Sequence, residues 1–93
     1  MDKKNFLKTY FQNLESLLKF SDQEIENLIL VSELMIEANN KKKKTLIFGN
    51  GGSAAIASHF SVDVTKNAKV RCVNFNESDL LTCFSNDFGY EKW

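Results

Sequence analysis

Three groups of residues have the types and spacing to do chemistry on a small polar ligand: Asn50-Gly51-Gly52-Ser53, the pair His59 and Asp63, and Asn86-Asp87. Gly51 and Gly52 let the backbone approach a ligand with no Cβ in the way. Asn50 carries a donor and an acceptor, which suits sugar hydroxyls. Ser53 stands where a helix N-cap would, so its hydroxyl is placed for a helix amide or for the ligand. His59 and Asp63 are four residues apart and share one helix face. As an exposed ion pair they contribute only about 0.3–0.5 kcal/mol. Turned into a ligand site, the carboxylate can move a proton and the two together can hold a divalent metal. Spacing alone leaves both readings open, and two ligands do not make a metal site. Asn86-Asp87 reads as turn chemistry or as a second contact for whatever Asn50 holds.

These residues need elements to position them. Thr45-Leu46-Ile47-Phe48 is a compact apolar run closed by glycine, which predicts a buried parallel strand. Residues 53 to 66 return to helical spacing, with Ile56, Phe60 and Val64 on one face and Ala57 beside them. A second strand is predicted at residues 70 to 75, giving a right-handed βαβ unit. A short helix with Leu80, Leu81 and Phe84, capped by Asn76 or Ser78, then leads to a turn at Asn86-Asp87-Phe88-Gly89, where Gly89 can take the left-handed conformation. In parallel α/β sheets ligands bind beyond the carboxyl ends of the strands, where the loops after Phe48 and Phe75 lie.

Ahead of this unit, Leu7, Tyr10, Phe11, Leu14, Leu17 and Leu18 recur at helical spacing over residues 3 to 19, in a stripe wide enough to require a partner. Ser21-Asp22-Gln23-Glu24 fits a capping box that opens a second helix, which fades at Asn39-Asn40. The connection of about two residues predicts an antiparallel hairpin over residues 3 to 40. The run Lys41-Lys42-Lys43-Lys44 follows, where positive charge complements the helix macrodipole. Two parallel strands leave two open edges and too little sheet to cover these helices. The chain therefore reads as the first half of a larger α/β domain.

Bulk composition narrows the function. Twelve basic residues balance twelve acidic ones over 93 residues, so the basic face that general nucleic-acid binding needs is lacking. Neither a membrane-spanning apolar run nor an apolar signal core is present, and the expectation is a cytoplasmic protein without a membrane partner. Cys72 and Cys83 lack C-x-x-C spacing and are read as reduced thiols buried in apolar surroundings.

Gly49-Asn50-Gly51-Gly52-Ser53 followed by Ala54-Ala55, then His59-Phe60 with a carboxylate at Asp63, then Asn86-Asp87-Phe88-Gly89-Tyr90, together resemble the N-terminal half of the phosphoheptose isomerases, within the sugar isomerase (SIS) domain superfamily. The resemblance covers nearly the whole chain. It implies a flavodoxin-like parallel sheet with helices on both faces, residues 1–93 being the N-terminal half of one such domain, with the helical hairpin at 3–40 and the first βαβα portion at 45–93. It implies conversion of sedoheptulose 7-phosphate to D-glycero-D-manno-heptose 7-phosphate, an early step towards bacterial surface polysaccharides. It further implies a homotetramer with shared active sites, and an association with zinc. Carried across, the resemblance implies that Asn50, Gly51, Gly52, Ser53, Asp63, Asn86 and Asp87 bind the sugar phosphate, and that His59 with Asp63 binds metal.

The family's catalytic glutamate falls at Asp63, whose carboxylate reaches one methylene less far. The family's serine-rich phosphate loop, its later strands and a C-terminal helix bearing a glutamine and a histidine would follow Trp93, so the 93-residue chain is expected to be inactive alone. Two rival readings accompany this one: a non-catalytic SIS-fold adaptor that assists replication initiation, and an interaction fragment working through its helical pair.

Overall fold

A computed structural model of the chain describes residues 2–93. It forms two units, Met1–Ser32 and Glu33–Trp93. Helix α1 spans Lys3–Leu17; its N-cap is Asp2, whose carboxylate accepts the amides of Lys4 at 2.9 Å and Asn5 at 3.4 Å. Helix α2 spans Asp22–Asn40. The capping box forms as expected, with the Ser21 amide donating to Glu24 at 2.8 Å and the Glu24 amide to the Ser21 hydroxyl at 3.2 Å. None of the described side chains of α1 is buried, and Leu17 is 74% exposed.

In the second unit, α2 ends in a Schellman motif. Lys42 takes the left-handed conformation at φ 59°, and the amides of Lys43 and Lys42 return to the carbonyls of Ala38 and Asn39 at 2.8 and 3.0 Å. Strands β1 (Thr45–Ile47) and β2 (Cys72–Asn74) then pair in parallel, in the register Thr45 to Cys72, Leu46 to Val73 and Ile47 to Asn74. Both are shorter than the apolar runs that predicted them. Between them lies α3 (Gly52–Asp63), which runs into a π-helical turn at Val64–Ala68, where the sequence predicted continuous α-helix to residue 66. A left-handed Lys69 at φ 59° ends that turn and returns the chain to the sheet.

The face of α3 that packs on the strands is not the one its large side chains suggested. Ala57 is 3% exposed and Ser61 is buried with it, and half-buried Ala54 and Val64 share their side; Ile56 is 71% exposed and Phe60 41%. Small side chains let a helix lie close to a sheet this narrow, so close approach decides the face over hydrophobic bulk. The Ser61 hydroxyl is satisfied within the helix, donating to the Ser58 carbonyl at 2.7 Å. Buried Val70 and Cys72 complete this small core.

On the outer side of β2, the Thr65 hydroxyl donates to the Cys72 carbonyl at 3.1 Å and accepts the Cys72 amide at 3.4 Å. It thereby occupies polar groups that an open strand edge would leave free. Cys83, expected in apolar surroundings, is exposed; both thiols are free.

Helix α4 spans Ser78–Phe88. Its N-cap is Glu77, which lies between the two residues expected in that role and accepts the amides of Asp79 at 3.0 Å and Leu80 at 3.2 Å. Asn86 and Asp87, read from composition as a turn, lie in the last turn of this helix. Gly89 does end it with positive φ, at φ 102° and ψ 148°, outside the left-handed helical region. A 3-10 turn at Tyr90–Lys92 follows. There Trp93 stacks edge-on to Phe48, with ring centres 6.0 Å apart, and Phe48 lies 6.2 Å from Phe75. This aromatic group brings the end of the chain over the carboxyl ends of both strands.

Candidate functional site

The turn after β1 is shaped by two glycines with different jobs. A Cβ on Gly49 would overlap the carbonyl of Ser53, so only glycine lets the first turn of α3 lie this close. Gly51 sits at φ 58° and ψ −125°, a backbone region closed to most side chains, and serves as the N-cap of α3 without any side-chain cap. Ser53 is therefore not the cap that its position suggested; it is the second residue of the helix. The Ser53 and Ala54 amides turn back to the carbonyls of Asn50 and Gly51, each at 3.1 Å. The amides of Gly51 and Gly52 have no acceptor among the described residues. They are orphan donors at the positive end of a helix, which favours an anionic or strongly polar ligand.

A pair of asparagines braces this turn. The Asn76 side chain accepts the Gly49 amide at 3.1 Å and donates to the Gly49 carbonyl at 2.8 Å, as the next residue of a strand would. Asn74 holds Asn76 in turn. Its Nδ2 donates to the Ile47 carbonyl and to Asn76 Oδ1, both at 2.9 Å, and its Oδ1 accepts the Asn76 amide at 2.9 Å and the Ser58 hydroxyl at 3.3 Å. Side chains thus extend the β1–β2 ladder past Ile47, where backbone pairing stops. Sequence reasoning missed both residues. The available signal was Asn74 itself, a polar side chain inside a strand otherwise apolar.

Over the braced turn lies a cleft of about 320 Å³, walled by Gly49, Asn50, Gly51 and Ala54 on one side and by Asn76, Leu81, Thr82, Ser85 and Tyr90 on the other. Its place beyond the carboxyl ends of the strands is the expected one. The Tyr90 hydroxyl donates to Asn50 Oδ1 and fixes the orientation of that side chain at the mouth. Thr82, Ser85 and Tyr90 were not anticipated as wall residues.

The remaining expected site residues lie outside these walls. His59 Nε2 and Asp63 Oδ2 approach to 3.5 Å with side chains 76% and 52% exposed, so the pair forms. It lies on the side of α3 away from buried Ala57 and Ser61, about half a turn round the helix. Asn86 Nδ2 donates to Asp87 Oδ1 at 3.1 Å, and Cys83 Sγ to Asp87 Oδ2 at 3.5 Å. That hydrogen bond, with the charge of the same carboxylate, pushes the Cys83 thiol above its usual range. Neither Asn86 nor Asp87 walls the cleft, although Ser85, next to them on α4, does.

For zinc, His59 and Asp63 offer two donors, and no group of three potential metal ligands occurs among the described residues. A catalytic zinc takes three protein ligands, so the described residues fall one short and no chemical step is assigned to a metal. No helix among them is long and apolar enough to cross a membrane.

Comparison with known proteins bears on the same stretch. The model of the SIS domain family matches residues 9–82, which span α1 to α4 and include the glycine turn, the asparagine brace and the His59–Asp63 pair. The phosphoheptose isomerase of Helicobacter pylori (strain P12) is 33% identical over 91 residues, covering 91% of this chain and 47% of the relative. That of Aliarcobacter butzleri (strain RM4018) is 29% identical over 96 residues, covering 97% and 51%, and that of Geotalea uraniireducens (strain Rf4) 34% identical over 68 residues, covering 67% and 36%. No solved structure matches the chain. The chain spans about half the length of these relatives or less. With the matched model covering most of the sequence and the braced glycine turn inside it, the chain belongs to the SIS domain family.

Proposed function

We propose that the chain carries the sugar-contacting half of an aldose–ketose isomerase site, acting on sedoheptulose 7-phosphate and yielding D-glycero-D-manno-heptose 7-phosphate. The observation that carries this reading is the cleft at the end of β1, where Gly51 with its free amide and the Asn50 side chain lie beside the hydroxyl-bearing Thr82, Ser85 and Tyr90. Such a wall suits a polyhydroxylated, anionic ligand. The names of the relatives support the same chemistry.

In the proposed mechanism Asp63 takes the proton from C1 of the ketose, leaving the enediol, and returns it to C2 to give the aldose, while a second acid–base group moves a proton between the two oxygens. The exposed Asp63 carboxylate, with His59 beside it, is free to meet a substrate arriving from outside α3. Because Asp63 and the cleft lie on different sides of that helix, the proposal requires a further surface to complete the site. A second subunit of a homotetramer, as the family resemblance implies, supplies such a surface. A single 93-residue chain, whose cleft and carboxylate lie on different sides of α3, is accordingly proposed to be inactive.

The test is a turnover assay with sedoheptulose 7-phosphate, run on the chain by itself and on the chain mixed with the C-terminal half of a phosphoheptose isomerase relative. Heptose phosphate should form only in the mixture. Asp63→Asn should lower the rate at least about a hundredfold, the usual scale for loss of a general base. Equal turnover by Asp63→Asn would remove the carboxylate from the mechanism, and a folded mixture that binds a protein partner but never the sugar would favour a non-catalytic adaptor.

A further inference from the structure

At the end of the strands opposite the glycine turn, Lys42, Lys43, Lys44 and Arg71 line a second cleft of about 500 Å³, with Leu46 as its apolar wall. The ion pairs among the described residues are Lys41 with Glu37 at 2.5 Å and His59 with Asp63. The four cations that line the cleft therefore have no carboxylate partner among the described residues, in a chain whose formal net charge is zero. Arg71 serves the end of α2 through the Asn39 carbonyl, but a helix C-terminus presents only about half a negative charge, which leaves most of the positive charge unmatched. The carbonyls of Glu37, Asn39 and Ala38 are, moreover, already taken by the amides of Lys41, Lys42 and Lys43.

The cleft is also built rather than merely crowded. Arg71 is tied at three points: its amide donates to Asn39 Oδ1 at 3.0 Å, its Nη2 to the Asn39 carbonyl at 2.6 Å, and its carbonyl accepts the Thr45 amide at 2.9 Å. Lys42 holds the left-handed conformation, where a glycine would sit with less strain.

We propose that this cleft binds a small soluble ligand carrying two or more linked phosphate groups. Its volume is that of a small-molecule site. Its charge matches a diphosphate or triphosphate, whereas a nucleic-acid strand typically engages six to ten basic contacts. The site is separate from the sugar-contacting cleft, since no residue is common to the two walls.

The experiment is a titration of the isotopically labelled chain with inorganic pyrophosphate, followed by amide shifts. Saturable shifts are expected at residues 42 to 46 and 71, with orthophosphate binding at least about tenfold more weakly for its smaller charge. Raising the salt from about 0.01 M to about 0.15 M shortens the screening length from about 30 to 8 Å and should weaken binding several-fold. The double variant Lys43→Gln, Lys44→Gln alters side chains exposed to solvent, so it keeps the fold, and it should lower affinity at least about fivefold. Shifts confined to Gly49–Ser53, affinity unchanged in the double variant, or binding to a single-stranded oligonucleotide or to phosphatidylserine vesicles without response to pyrophosphate would each overturn the proposal.

Discussion

The glycine turn concentrates its constraints in single residues. Gly49→Ala places a methyl group into the Ser53 carbonyl, backbone against backbone, and should destabilise the second unit by about 3 kcal/mol, in the range of forced overpacking. Gly52→Ala meets open space and an ordinary backbone conformation, so it should be neutral or slightly stabilising. Urea midpoints of the two variants check the contrast. Cys72 makes a prediction about pH. Burial raises its thiol above the usual range, so the folded state keeps a proton that the unfolded chain releases above about pH 8.5. Stability should be level below that pH and fall as pH rises through it. Cys83 is raised too, through Asp87, so the melts are best recorded in a Cys83→Ser background, where Cys72→Ala should flatten the alkaline fall.

Between elements, the asparagine brace does what two more strand residues would do. Asn76→Asp can still accept the Gly49 amide, but its carboxylate cannot donate to the Gly49 carbonyl, which is then left facing an anion. Hydrogen exchange at the Gly49 amide should quicken near neutral pH by the equivalent of about 1–3 kcal/mol. The new carboxyl, its folded pKa raised by that carbonyl, regains a proton as pH falls towards 4 and should recover the protection; Asn76→Ala should show no such recovery. The brace also marks the limit of what the sequence reveals. The strand–helix–strand order and the Ser21–Glu24 capping box rest on patterns a few residues long, and they were legible. The link from Asn76 to Gly49 joins residues 27 apart, and no local pattern announces it. The inner face of α3 was misread because hydrophobic periodicity weighs Ile56 and Phe60 above Ala57 and Ser61, whereas a narrow sheet favours whichever side chains let the helix come closest. The reach of α4 to Phe88 was hidden by Asn86 and Asp87, turn-formers that a helix C-terminus also accepts.

Over the whole molecule the notable quantity is exposed surface. Large apolar side chains stay exposed in each unit, from the stripe of α1 in the first to the outward side of α3 in the second, where Ile56 and Val62 flank His59 and Asp63. A family member that completes its site with a further surface has reason to keep that side of α3 apolar. Under the proposed function the glycine-turn cleft is the part that contacts the sugar. Titrating the labelled chain with sedoheptulose 7-phosphate, with sedoheptulose as control, tests this most directly. Saturable amide shifts are expected at Asn50, Gly51, Gly52, Asn76, Thr82 and Ser85, requiring the phosphorylated sugar and lost in Asn50→Ala. Shifts absent from these residues at saturating sugar phosphate, or identical in Asn50→Ala, would contradict the proposed contact.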